Sequence, residues 1–569
     1  MDGTDEAGVL SSHGMEWGRS PHQRKIGRTE PFPFTLPREI CCLKKRPNTI
    51  FKHKCGTSSK NSVESLGFKG SGVRENRKRT TKIKLRKSTI MALENIGFKP
   101  QLSFLSSEDK DQIHQGALEV LNETGMQILH GEALKLLKKA GCSISENQMV
   151  RIPATLVEKA VESAPENIEI WNREGSLAMD LGDRRSYFGT GSDLIYSLDS
   201  QKMVRHPCVL KNVKTAAKVS DALGNIDFIM SFAHPSDISP GRAYLASFQA
   251  MVESSIKPIV CTAECRDDLY EMWNIAKIIR ESEEALRVKP YFIHYAEPIS
   301  PLKHPFSSLD KLLFCAEKAI PVIYSPAPIA GSTAPMTLAG HVVQGLAECF
   351  CGLVIHQLKA KGAPFLMGMG PAVLDMVTGE CSYNAPEYYL AYMAMTEMSH
   401  YYHLPNWGYA GTSDSQIPDE QATFEAGLLT FLAAFAGSNL NHDVGYLDFG
   451  RTGSLEMIVI SDELIDQVRR MQRGIPVTRE EMAIDVIRET GPKGHFLTHE
   501  HTLKHVRKTQ WRPALLNRMG FEDWEKSGGS SLLTRAHQRL LEILKNHQPP
   551  LVGEKKQQEI QKRVDRFKP

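Results

Sequence analysis

The chain has 569 residues, of which 41% are hydrophobic and 24% charged, and a formal net charge of +3. Those proportions describe an ordinary globular protein and exclude low-complexity, collagen-like and disulfide-scaffold chains. Its eleven cysteines include no CxxC pair, and so read as reduced thiols of a cytoplasmic protein rather than a disulfide framework or zinc ribbon.

The small net charge hides an asymmetry. Residues 1–90 carry 20 lysines and arginines against 8 acids, a net of +12, leaving 49 against 58 and −9 for the rest. This basic stretch lacks hydrophobic periodicity and ends in NRKRTTKIKLRK. It has no apolar core for a secretory signal, and its scattered acids argue against a transit peptide. Two readings are expected: a leader upstream of a true start at Met91, or a disordered tail. A basic arm for nucleic acid or a membrane surface is the third alternative.

Ser106-Ser-Glu-Asp109 has helix-cap spacing ahead of Ile113, Ala117, Val120 and Leu121. A second helix is predicted from Gly131 to Ala140, stopping at Gly141, and a third from Ala154 to Ser163. IEIW and SLAMDL then suggest a hairpin, so residues 91–184 read as an α+β cap. From there one theme repeats. Strand-like runs occur at 186–191, 226–234, 257–264, 290–297, 321–326, 364–370, 405–411 and 438–446, with helical segments between them. Residues 320–379 show the unit most clearly: a β-branched run, a Gly/Ser/Thr/Pro turn, an apolar helix from about Met336 to Lys361, and a second strand. Eight strands alternating with helices predict an α/β fold, a (β/α)8 TIM barrel over residues 185–451. A doubly wound open sheet is the alternative, weakened by the lack of a GxGxxG after the first strand. Residues 452–569 read as a C-terminal helical extension whose charged tail, from Gly553, is expected to fray. No uncharged apolar run reaches the length of a membrane span, so none is expected.

In such a barrel the C-terminal strand ends carry the site. Reading them off gives Asp193, His234, Tyr295, Glu297, Tyr324, Trp407, Tyr409, His442, Asp443 and Tyr446. Aromatic faces beside carboxylates suit a cation, above all a quaternary ammonium that cannot donate hydrogen bonds. The bland reading is that half of these side chains pack into the core. His495, His499, His501 and His505 have chelating spacings, but they lie outside the barrel without a nearby cysteine. A polar surface is expected there and no metal site, metal chelation being the alternative.

The stretches PAPIAGSTAPMTLAGHVVQGLAECFCGLVIHQL, GAPFLMGMGPAVLDMVTGECSYNAPE, YAGTSDSQIPDEQATFE, GYLDFGRTGSLEMIVISDELI and GHFLTHEHTLKHVR resemble the trimethylamine methyltransferase (MttB-like) family. The resemblance runs over about residues 95–545, with nothing before Met91. It implies a TIM-barrel methyltransferase that moves a methyl group from a methylated amine to Co(I) of a separate corrinoid-binding protein. That partner would hold the cobalamin, so the chain itself would bind no cofactor directly. Members acting on trimethylamine carry pyrrolysine at a strand end. The matching region, about Met367 to Pro371, holds only ordinary residues, as in relatives that demethylate glycine betaine and similar quaternary amines.

On that resemblance Tyr295, Trp407, Tyr409 and Tyr446 would cage the cation, with Tyr324 also among the substrate-binding residues. Glu297, Asp193 or Asp443 would supply negative charge, and His234 and His442 would take a substrate carboxylate. A homo-oligomer is expected, with no nucleic-acid or membrane partner. The alternatives are a trimethylamine-type methyltransferase, other chemistry on the same barrel, and a non-catalytic amine-binding barrel.

Overall fold

The computed structural model describes residues 100–568; the basic stretch 1–90, and the expectations attached to it, lie outside them. The first described helix, Ser107–Glu119, starts where the cap spacing places it: Ser106 and Asp109 exchange a full capping box. Helices Gly131–Lys139 and Ala154–Ser163 follow, and Ile168–Trp171 pairs antiparallel with Leu177–Leu181 as the expected hairpin.

Eight extended segments then pair in parallel. Gly189, just beyond the Tyr187–Phe188 strand, pairs with Phe228, and Ile229 with Ile259. Strand Ile259–Cys261 pairs with Phe292–Ala296, that strand with Val322–Tyr324, and that with Phe365–Met367. Met367 pairs with Asn406, Trp407–Tyr409 with Leu440–His442, and Leu440–Asn441 returns to Tyr187–Phe188. The result is a mixed α/β fold in which each strand is followed by helix, among them Leu210–Ala222, Pro240–Ser254, Arg266–Arg280, Phe306–Lys318, Pro386–Tyr401 and Glu420–Ala436.

Strand alternation sorts the side chains into two sets. Phe228, Met230, Val260, Ile293, Ile323, Leu366, Trp407 and Leu440 form one apolar cluster, joined by Ile168, Ile170, Met179 and Leu181 of the hairpin. The intervening residues, such as Val322, Tyr324, Phe365 and Met367, belong to a second cluster with the helices. The predicted cap is therefore continuous with the main core: its hairpin fills the space that the strands enclose. Helix Leu338–Lys359 is long and apolar enough to cross a membrane. Most of its residues are buried, because it packs against helices Ser107–Glu119, Ala154–Ser163, Phe306–Lys318 and Pro386–Tyr401.

Thr478 caps helix Arg479–Met482, which breaks at Ala483 (φ 50°) before Ile484–Thr490 begins. One expectation about the C-terminal region needs correcting. The tail after Gly553 does not fray. It forms helix Glu554–Arg566, which buries Ile560 and Val564 in the main cluster and pairs Arg563 with Glu271 at 2.8 Å. Its apolar residues are few, but they fall four apart and so share one face.

Candidate functional site

The C-terminal strand ends bring most of the expected residues together. Trp407 projects from the inner face of its strand, and His442 on the neighbouring strand stacks on it at 4.0 Å and 26°. Tyr409 lies 4.4 Å from the same imidazole, and Tyr295 is 5.7 Å from Trp407 and 6.5 Å from His442, all between ring centroids. Tyr295 donates its hydroxyl hydrogen to the Glu297 carboxylate at 2.8 Å. The Glu297 side chain is reached by solvent yet closely surrounded by protein. This describes a carboxyl inside a concave mouth. Desolvation raises its pKa, while Tyr295 and Lys311 pull it back.

Asp443 follows the last strand in a left-handed conformation (φ 73°), as do Asp193 (φ 66°) and Phe232 (φ 61°) after the first two. Aspartate tolerates this region and phenylalanine resists it, so the surrounding packing must hold Phe232 there. Asp443 is buried, and desolvation alone drives its pKa well above the carboxylate range. The neighbouring His442 Nε2 lies 3.3 Å away. Nδ1 of that ring meets the Gly408 carbonyl at 2.7 Å, and burial lowers its pKa to about 3. His442 is thus a neutral ring in an aromatic stack. Burial thus disfavours the charged ring that holding a substrate carboxylate would call for.

His234 differs. It is partly exposed, with Nδ1 3.8 Å from Asp193, and its pKa is raised chiefly by that carboxylate. Asp193 also accepts from Ser192 Oγ at 2.8 Å. Tyr446 is brought in by an antiparallel pair, Tyr446–Leu447 with Thr452–Gly453, which joins strands Tyr196–Asp199 and Val204–Pro207 in a sheet built from the loops. Its hydroxyl donates to the Ser192 carbonyl. Close approach at this corner requires Gly191: a Cβ there would stand 2.2 Å from Asp443 Oδ1 and 2.3 Å from the Tyr446 oxygen.

Tyr324 is not part of the group. It lies on the helix-facing side of its strand, fully buried, with its hydroxyl 2.7 Å from His304 Nδ1 and its ring against Gly352. The alternation of its strand turns Ile323 inward instead.

Sequence reasoning missed other neighbours. Tyr388 and Tyr392 each lie 5.7 Å from Tyr409, edge-on. Tyr383 is half-buried with a pKa raised chiefly by desolvation, to which the nearby Asp443 and Glu297 contribute. A signal existed: four tyrosines, Tyr383, Tyr388, Tyr389 and Tyr392, cluster at the start of one helix directly after a strand-end loop. Lys311 had no such signal, sitting in what reads as the charged face of a helix. Its buried ammonium donates to the Ala263 and Glu264 carbonyls, and desolvation lowers its pKa. Two buried polar atoms at this end, Trp407 Nε1 and Ser325 Oγ, have no hydrogen-bond partner. Both belong to residues facing the enclosed interior, so a ligand or water there would find a donor and a hydroxyl.

Elsewhere, a cavity of about 700 Å³ lies before the N-terminal end of the Phe292–Ala296 strand, lined by Arg173, Arg280, Lys289 and Lys556 among others. Both arginines are occupied by main-chain carbonyls, so they are not free to bind an anion. Among the described residues no three His, Cys, Asp or Glu side chains gather as a metal cluster. His501 and His505 stack at 4.2 Å, while His499 is 6.5 Å from His501.

The model of the trimethylamine methyltransferase (MTTB) family matches residues 70–569, beginning upstream of Met91, where no resemblance was expected. The chain is 31% identical over 460 residues to trimethylamine methyltransferase MttB of Desulfitobacterium hafniense (strain DSM 10664 / DCB-2), covering 80% of this chain and 92% of that one. It is 30% identical to MttB of Methanosarcina thermophila (79% and 94% covered) and 28% identical to the glycine betaine methyltransferase of D. hafniense strain Y51 (79% and 94%). Among solved structures, the Methanosarcina barkeri monomethylamine methyltransferase (MtmB) aligns over 82% of this chain and 98% of its own, with a TM-score of 0.40 and 12% identity. With one family model spanning both the strand ends and the helices behind them, the chain belongs to the trimethylamine methyltransferase (MTTB) family.

Proposed function

We propose that the protein demethylates a quaternary amine of the glycine betaine kind, passing the methyl group to Co(I) of a corrinoid-binding protein. The observation that carries this reading is the stack of Trp407, His442, Tyr409 and Tyr295 beside Glu297. A quaternary ammonium has no N–H to donate, so recognition relies on ring faces and unpaired negative charge, worth roughly 0.5–2 kcal/mol per good ring. The circuit of parallel pairings supports reading the fold as a (β/α)8 barrel, whose C-terminal end is where such a site belongs.

The chemistry asks little of the protein. The C–N bond breaks with its electron pair returning to nitrogen, and the leaving group is a neutral tertiary amine needing no proton. The corrinoid, when docked, supplies the nucleophilic Co(I) that takes the methyl group. This chain's part is to hold the cation, aim one methyl group outward and keep water away. Glu297 supplies the field, since a bound cation favours its charged form. His234, kept protonatable by Asp193, is the residue placed to take a substrate carboxylate. Large exposed hydrophobics on loops that follow the strands, Met203, Val204, Ile299, Met336, Met376 and Val377, support docking of the corrinoid-binding protein over this mouth.

Removing the Trp407 ring tests the cage. Trp407→Ala should raise KM for the active quaternary amine by about tenfold or more, while circular dichroism still reports a folded chain. Unchanged kinetics on every active amine would refute it.

A further inference from the structure

We infer that Lys311 is a positioning residue for Glu297: its buried charge keeps that carboxylate ionised before a substrate arrives. The inference rests on the reading of Glu297 as the group that meets the cation. Lys311 and Ser308 lie three residues apart on helix Phe306–Lys318 and so share a face. That face is turned to the ends of two neighbouring strands. Ser308 Oγ donates to the main-chain carbonyl of Glu297 itself, and Lys311 Nζ donates to the carbonyls of Ala263 and Glu264. The two strands pair with Cys261 opposite His294, and the same register carried three residues on sets Glu264 beside Glu297. Paired strands lie only about 4.8 Å apart. The ammonium that closes on one strand end therefore stands beside the other.

Lys311 is only 9% exposed. An ammonium is costly to bury, and a neutral donor would satisfy the same carbonyls. The charge has a use where something nearby is negative. Desolvation lowers the Lys311 pKa, and Cys315, Cys265, Asp268 and Glu297 oppose the fall. The two thiols have raised pKa values of their own. Cys261 and His294, on the strands behind the lysine, are likewise kept uncharged by burial. That leaves the two carboxyls, of which Glu297 faces the mouth. Around Glu297 desolvation is the largest influence and disfavours its charge; Tyr295 and Lys311 favour it, and Asp193 opposes it. Tyr244, Tyr383 and Tyr409 lie within reach and bring no positive charge. Without the lysine charge, Glu297 should hold its proton to higher pH.

Carbodiimide coupling of glycine ethyl ester labels protonated carboxyls, and peptide mass spectrometry as a function of pH then reads the Glu297 midpoint with no quaternary amine present. Lys311→Gln keeps a donor for the carbonyls and Lys311→Met does not. Both should move the midpoint up by about half a pH unit or more, while Lys311→Arg should leave it in place. A purely structural strut predicts the parental midpoint in Lys311→Gln. That result, or an equal shift in Lys311→Arg, would overturn the proposal. If circular dichroism shows these buried substitutions to unfold the chain, Glu297→Gln tests the pair from its exposed side. Acetic anhydride labelling of Lys311 should then begin at lower pH than in the parent, and an unchanged onset would overturn the proposal. Calorimetry with glycine betaine keeps the proposed function separate. Weaker binding to Lys311→Gln that recovers as pH rises supports both. A shifted Glu297 midpoint in a protein that binds no glycine betaine supports the role of Lys311 and contradicts the substrate.

Discussion

Glu297 shows how burial and access combine at a single residue. Its carboxyl is solvent-reachable, hydrogen-bonded to Tyr295 and surrounded closely enough that desolvation raises its pKa. A bound ammonium would favour the charged form and lower that pKa again. Binding of a quaternary amine should therefore release a fraction of a proton when the pH lies near the raised value. Affinity should climb as pH rises through that value and level off above it, because the free carboxylate then needs no deprotonation. Titration calorimetry in two buffers of different ionisation enthalpy measures the proton directly, and Glu297→Gln should abolish it. A heat of binding independent of buffer would mean that Glu297 does not face the cation.

At the scale of elements, period-2 and period-3.6 patterns carried most of the fold. All eight expected strand runs contain parallel pairings, and helix boundaries fall within a few residues of prediction, because each element buries one regular stripe. The misses have physical causes. Tyr324 was assigned to the site because strand-end position is visible in a sequence, whereas the face it points to depends on register by one residue. The loop sheet that brings in Tyr446 consists of two- and four-residue strands, too short to show periodicity. Lys311 was missed because its buried hydrogen bonds are to carbonyls distant in sequence.

The C-terminal helix Glu554–Arg566 was misjudged because eleven of its thirteen residues are Glu, Asp, Gln, Lys or Arg, which hides a two-residue apolar stripe. Ile560 is fully buried, and Ile560→Ala should cost about 2–5 kcal/mol of stability if that helix unfolds together with the core. Chemical denaturation monitored by far-UV circular dichroism checks it. A loss under about 0.5 kcal/mol, the range of a surface change, would show the helix to be only loosely docked.

For the whole molecule, one end of the strands carries the rings and carboxylates, and the loops around that end carry exposed apolar side chains. Under the proposed function, that division would separate holding the amine from meeting the corrinoid-binding protein. Val377 is 94% exposed. Val377→Asp should raise KM for the corrinoid-binding protein several-fold and leave amine binding unchanged, as steady-state assays varying each substrate separately would show. An effect on the amine instead would place Val377 in the pocket.

The most direct measurement of the central claim is anaerobic and spectrophotometric. The protein is mixed with Co(I) cobalamin, free and bound to a corrinoid-binding protein, and methyl-cobalamin formation is followed with glycine betaine, carnitine, choline, proline betaine and trimethylamine in turn. Methyl transfer from at least one quaternary amine, none from trimethylamine, and loss of the activity in Trp407→Ala are the expected results. Transfer from trimethylamine alone, or a quaternary-amine activity indifferent to Trp407, would contradict the account.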